Sequence, residues 1–140
     1  MDKEVLGIDI GGTKIKLGRV KDGNVHQTHQ IKVDQKDSEA ISLKKLFQAI
    51  EVLMTDSVEA VGIGVPAVVD PESGIVYDVQ NIPSWKKVPL KELVQHEFKV
   101  PVQINNDANC FALGEKYFGK AKDHANCVAL SLGTGLGMGI

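Results

Sequence analysis

The 140-residue chain is short of cysteine, short of aromatics and without a long hydrophobic run, and each shortage removes a class of protein. Two cysteines, Cys110 and Cys127, are too few for a disulfide framework or a four-ligand zinc site, so free, buried thiols are expected. No apolar segment is long enough to span a bilayer, and Met1-Asp2-Lys3-Glu4 leads straight into a strand-like run without an apolar signal region. The expected compartment is therefore the cytoplasm, with no membrane partner. A charge excess is also missing: 16 basic residues face 18 acidic ones for a net charge of -2, with no run of Lys or Arg. That excludes nucleic acid as the main partner. With 43% hydrophobic residues, the chain can bury a core of one-domain size.

The elements follow from apolar spacing. Residues 4–10 and 14–20 are short runs rich in β-branched residues, joined by Gly11-Gly12-Thr13, and Lys21-Asp22-Gly23-Asn24 turns into a third run over 25–33. This spacing predicts three consecutive antiparallel strands. Leu43, Leu46, Phe47, Ile50, Leu53 and Met54 recur at helical intervals behind the candidate caps Asp37 and Ser38. Residues 60–65 form a continuous apolar run that suits a strand covered on both faces. Residues 67–88 hold two prolines, Pro71 and Pro83, and no helical period, which predicts an insertion with a short hairpin. A helix is expected from Pro89 through Phe98, a strand over 102–104, a helix over 106–118 stopped by Gly119, and a last strand over 128–132. The order is β-β-β-α-β-α-β-α, and "CVALSLGTGLGMGI" then echoes "VLGIDIGGTKIKLG". Such an echo of strand and glycine turn suggests two facing lobes that each offer backbone amides to one ligand. The expected division is 1–122 as a first lobe and 123–140 as the first strand and turn of a second.

The turns themselves carry chemistry. Gly11, Gly12, Gly133, Gly135 and Gly137 are expected to allow positive φ and close approach of phosphate oxygens, and Thr13 and Thr134 add a hydroxyl to each turn. Two ordinary hairpins would use the same residues, so each turn alone is a weak signal. No G-x-x-x-x-G-K-[ST] loop is present, and the closing glycine run misfits G-x-G-x-x-G because Ile140 takes its last place. Asp9, at the mouth of the first turn, would repel phosphate directly. It fits a hydrated Mg²⁺ between carboxylate and phosphates, since magnesium favours carboxylate, water and phosphate oxygens together. Lys14 either neutralises further charge or is an ordinary solvent-facing lysine.

"INNDANCFALGE", residues 104–115, places Asn105, Asn106 and Asp107 where a buried strand ends and a helix begins, the position at which open α/β sheets bind ligands. One such residue is enough for a helix cap. Three in succession point to a polyol-binding cluster with Asp107 as general base, and phosphoryl transfer needs one acid to accept the hydroxyl proton.

Together "GIDIGGTK", "GIGVPAVVD", "NIPSW", "NNDANCFALGE" and "SLGTGLGMGI", in this order, resemble the N-terminal part of ROK-family sugar kinases, bacterial glucokinase-like enzymes of the hexokinase, actin and Hsp70 superfamily. The resemblance spans essentially the whole chain. It implies an α/β fold: a ribonuclease H-like lobe with a mixed sheet and helices on both faces, the first lobe of a two-lobed actin-like ATPase. It also implies phosphorylation of a hexose, glucose by default, with ATP and Mg²⁺. Asp9 to Lys14 would form the first phosphate loop, Gly133 to Gly137 the second, and Asp107 would be the base. Gly64, Pro66, Ala67, Asn81 and Asn106 would line the sugar site. A zinc-binding cluster and further sugar ligands would lie beyond Ile140, and the full-length protein would be a homodimer. The fragment alone should not turn over substrate. A sugar sensor on the same scaffold, or another phosphotransferase or ATPase of the superfamily, are the competing readings. The start at Met1, close to the first strand, favours the kinase branch over winged-helix repressors. One departure from the family pattern is Ala67, which stands where the family usually has Gly.

Other candidates carry less. His26 and His29 fall on opposite strand faces and make a poor metal pair. His124 and Cys127 read as incidental, Trp85 as either a sugar-stacking group or an anchor for the insertion, and Glu115 as a surface acid.

Overall fold

The computed structural model describes residues 3–133 and 135–140. Ten strands and three helices follow in the order β1 (Glu4–Ile10), β2 (Lys14–Lys21), β3 (Asn24–Lys32), α1 (Glu39–Leu53), β4 (Val58–Val65), β5 (Val68–Val69), β6 (Val76–Tyr77), β7 (Lys87–Val88), α2 (Leu90–Phe98), β8 (Val102–Asn106), α3 (Asp107–Phe118), β9 (Ala129–Leu132) and β10 (Leu136–Gly139). A five-stranded sheet has the order β3-β2-β1-β4-β8. Its first three strands are antiparallel, while β4 and β8 join in parallel. This is the mixed α/β sheet that the sequence pattern implies.

Alternation along the central strands gives the sheet two unlike faces. Leu6, Ile8 and Ile10 of β1, Ile15 and Leu17 of β2, and Val61, Ile63 and Val65 of β4 enter the core together with Leu46 and Ile50 of α1 and Leu90 and Val94 of α2. The two helices meet edge to face through Phe47 and Phe98, with ring centroids 5.8 Å apart. On the opposite face the register sets Gly7 beside Gly18 and Gly62, and Asp9 beside Lys16 and Gly64. There α3 packs against β4 and β8, so helices cover both faces.

Local chemistry explains the boundaries. Ser38 caps α1, its hydroxyl accepting from the Ile41 amide at 3.3 Å, and Glu39 sits in the positively polarised first turn. Asn106 caps α3 by accepting from the Ala108 amide at 2.9 Å. Gly119 ends that helix in extended backbone, and the Glu115 carboxylate caps the exit by accepting from the Lys120 amide at 3.0 Å. Glu115 therefore has a structural task.

The insertion differs from the expected hairpin: β5, β6 and β7 form a separate three-stranded antiparallel sheet. Its strands have two residues each, too short for a period-2 signal in the sequence. Trp85 settles as the anchor; it is fully buried and its indole N–H donates to Ser42 Oγ of α1 at 2.6 Å.

Candidate active site

An open cleft of about 1930 Å³ runs across the glycine-rich face of the sheet, roughly twice the size of a pocket for a single small ligand. Its floor includes Gly7, Asp9, Lys16, Gly18, Gly62 and Gly64, and its walls come from the insertion, the start of α3 and the β9–β10 hairpin. Bare glycines along the floor keep the main chain open, which a row of side chains would fill.

The first turn stands at one end. The Gly11 amide donates to the Lys14 carbonyl at 2.8 Å, and a Cβ on Gly11 would lie 2.8 Å from that carbonyl oxygen. Steric closure of this tight turn is what requires glycine there. Positive φ, the expected reason, is not found at Gly11, Gly12 or Gly137; among the described residues the left-handed glycines are Gly23 and Gly74. Gly12 and Thr13 line the cleft, and a Cβ on Gly12 would meet nothing within 4 Å. Lys14 is exposed and lies outside the cleft lining.

The second turn reaches the same cleft because β10 lies directly on α3. A Cβ on Gly137 would be 3.2 Å from Ala108 Cβ, and one on Gly139 would be 2.5 Å from the Ala108 carbonyl oxygen. Small residues on both elements permit this contact and seat the hairpin over the helix that begins at Asp107. Gly133, Gly135 and Gly137 all line the cleft, and the Gly133 amide donates to the Gly135 carbonyl at 2.9 Å. Thr134 lies outside the described residues.

Between the two turns stands the acid cluster. Asp107 is half-buried at the first position of α3; its Oδ1 accepts from the Ala108 amide at 2.8 Å. Its Oδ2 takes no hydrogen bond among the described residues, which leaves one oxygen for a ligand. Asn106 combines two tasks: its Oδ1 caps the helix, and its Nδ2 donates to the Ala67 carbonyl at 3.3 Å. Asn105 is spent internally, accepting from the Asn106 amide at 2.8 Å and from Asn109 Nδ2 at 3.2 Å. Cap and cluster readings thus share the same residues. Gly64, Pro66, Ala67, Asn81 and Asn106 all line the cleft beside Asp107. Ala67 is not among the left-handed residues, Asp22, Asp78 and Lys99, so a methyl there brings no backbone strain. Asn81 is buried and its Nδ2 donates to the Gly11 carbonyl, tying the insertion to the first turn.

Two residues that the sequence reading passed over belong to the same field. Burial raises the Asp9 carboxyl above its ordinary range, the negative charge of Asp107 raises it further, and Lys16 opposes both. Burial likewise pushes the Cys110 thiol up, followed by the charges of Asp107 and Asp9. Cys110 sits one turn along α3, where its Sγ would be 3.4 Å from a Cβ on Gly64. Lys16 was legible in principle, since a hairpin closing at Gly11 and Lys14 puts it opposite Asp9.

The donor set fits magnesium better than a caged metal. Among the described residues no three His, Cys, Asp or Glu side chains converge, and magnesium keeps most of its shell as water and phosphate. Asp9 could hold it in that manner. His26 is engaged elsewhere, its Nε2 3.1 Å from Glu4 Oε1 in a group with Arg19 and Ser57. Among the described residues, no helix is long and apolar enough to cross a membrane.

Comparison with known proteins gives one consistent result. The family model for the ROK family matches residues 5–140. A glucokinase of Streptomyces coelicolor is 42% identical over 137 residues, covering 96% of this chain and 42% of that protein. A xylose repressor of Caldicellulosiruptor bescii is 36% identical over 145 residues, covering 97% of this chain and 36% of that protein. The structure of a ROK family glucokinase from Streptomyces griseus, in complex with glucose and AMPPNP, superposes with a TM-score of 0.83 at 34% identity, over 96% of this chain and 43% of that one. The chain thus spans less than half the length of these relatives. From its sheet, its two glycine turns and its Asn-Asp cluster to the match over 5–140, the chain belongs to the ROK family.

Proposed function

We propose that this chain is the sugar-binding and catalytic lobe of an ATP-dependent hexose kinase, glucose being the first candidate substrate. The observation that carries the reading is Asp107 Oδ2, which takes no hydrogen bond among the described residues and shares one cleft with the residues assigned to a sugar and with the two glycine turns. In the reaction a sugar hydroxyl hydrogen-bonds Asp107 and gives up its proton to that carboxylate. The hydroxyl oxygen bonds to the γ-phosphorus as the bridge to the β-phosphate breaks, and ADP leaves. Asn106 orients the polyol while capping α3, and Asn81 aligns the insertion with the first turn. The amides of Gly11 and Gly133 are bonded within their own turns, which leaves those of Gly12, Thr13 and Gly135 as the ones to face the phosphates. A magnesium ion held through water by Asp9 would neutralise phosphate charge. Residues 1–122 form the first lobe and 123–140 begin the second; zinc and the remaining sugar ligands belong to the part beyond Ile140. Closure of the two lobes excludes water, and the complete protein acts as a cytoplasmic homodimer.

The test is ADP release by the complete protein with MgATP and a panel of hexoses. The kinase reading expects one hexose to raise release well above the rate without sugar. A rate indifferent to every sugar supports an ATPase of the superfamily instead. The similarity to a xylose repressor favours a second reading, a sugar sensor, for which a sugar would raise the melting temperature without any turnover.

A further inference from the structure

The cleft poses a charge problem that the two glycine turns do not solve. A nucleoside triphosphate brings several negative charges to a site that already holds Asp9 and Asp107, and backbone amides offer only partial charges. Lys14, the lysine next to the first turn, stands outside the cleft lining. Lys16 is inside it.

The sheet register fixes its place. Lys16 pairs directly with Asp9, Asp9 pairs with Gly64, and Gly64 lies under the start of α3, where its Cβ would be 3.6 Å from Asp107 Cα. Lys16, Asp9 and Gly64 thus lie in one row across three adjacent strands, each step about 5 Å, with Asp107 of α3 over the third. Period-2 alternation puts the Lys16 side chain on the glycine face, the same face as Asp9. The side chain is exposed, and its ammonium makes no hydrogen bond or ion pair among the described residues, although it is close enough to Asp9 to lower that group's affinity for a proton. A lysine kept only to neutralise Asp9 would close an ion pair with it. This one keeps its three donors for a ligand.

We propose that Lys16 is the cationic arm of the donor site, its ammonium binding phosphate oxygens of the nucleotide beside the cation held by Asp9. The assignment rests on the kinase reading and adds a residue to it. It makes Lys16 a binding residue for the phosphate chain and gives it no contact with the sugar.

The experiment compares wild-type complete protein with Lys16→Met, Lys16→Gln and Lys16→Arg by calorimetry, using a non-hydrolysable MgATP analogue and, separately, the hexose. Lys16→Met and Lys16→Gln should weaken the analogue about tenfold or more, the size of a lost charge-assisted contact, while Lys16→Arg stays within about threefold of wild type. Hexose affinity should be unchanged in all three variants. Unchanged analogue affinity in Lys16→Met and Lys16→Gln would overturn the proposal, and so would an equal loss of sugar and analogue, which marks a structural role. Wild-type protein that binds no nucleotide at all would overturn the kinase reading, and this assignment with it.

Discussion

The two faces of the five-stranded sheet are made by the same strands and obey opposite rules. On one, Leu6, Ile8, Ile10 and Ile63 are almost fully buried under α1 and α2. On the other, one residue further along, stand Gly7, Asp9, Gly62 and Gly64, which line the cleft. Stability is concentrated on the first face and ligand chemistry on the second. Asp9 shows the cost of that division, since it is a carboxylate held in surroundings that disfavour its charge.

Substitutions should separate the faces. Ile63→Ala, at 1% exposure in the inner strand β4, should cost about 2–5 kcal/mol of unfolding free energy while leaving sugar affinity intact in the folded protein. Loss of sugar affinity at temperatures where the variant is folded would show that the faces are not independent.

Asp9→Asn should act in the opposite sense. The folded-state carboxyl is raised from 3.8, so folding stability falls as pH climbs from 3.8 through the folded value, and the ionised group is a net cost above both. Removing it should raise the melting temperature at pH 7, yet weaken magnesium-dependent nucleotide binding about tenfold or more. A variant with a lower melting temperature would contradict the electrostatic cost assigned to the Asp9 charge.

Cys110 offers a gentler probe. Its raised thiol should alkylate more slowly at neutral pH than exposed Cys thiols do, and Asp107→Asn should speed the reaction by removing a neighbouring negative charge. Mass-spectrometric labelling rates decide it. The smallest effect is expected for Gly62→Ala, whose new methyl would meet nothing within 4 Å: stability should stay within about 0.5 kcal/mol or rise slightly.

Much of this was legible in the sequence because β1, α1 and α3 each state their burial through period and cap. "LGIDI" alternates without interruption, and Ser38 and Asn106 stand where their helices begin. The three-stranded insertion was not legible, since strands of two residues have no period to read. The first turn is legible, but positive φ is not why it has glycine: Gly11 avoids the Lys14 carbonyl, which only the closed hairpin reveals. Lys16 escaped notice for a related reason. Its importance comes from cross-strand register with Asp9, whereas attention to the turn alone selects Lys14.

The most direct test of the central claim is sugar-stimulated ADP release by the complete protein beside its Asp107→Asn variant, with sugar binding followed by melting-temperature shift. Removing a general base should lower the stimulated rate by about 10²–10⁴-fold while the hexose still stabilises the variant. A variant that keeps its turnover would contradict the account, because Asp107 would then be no more than a ligand to the sugar.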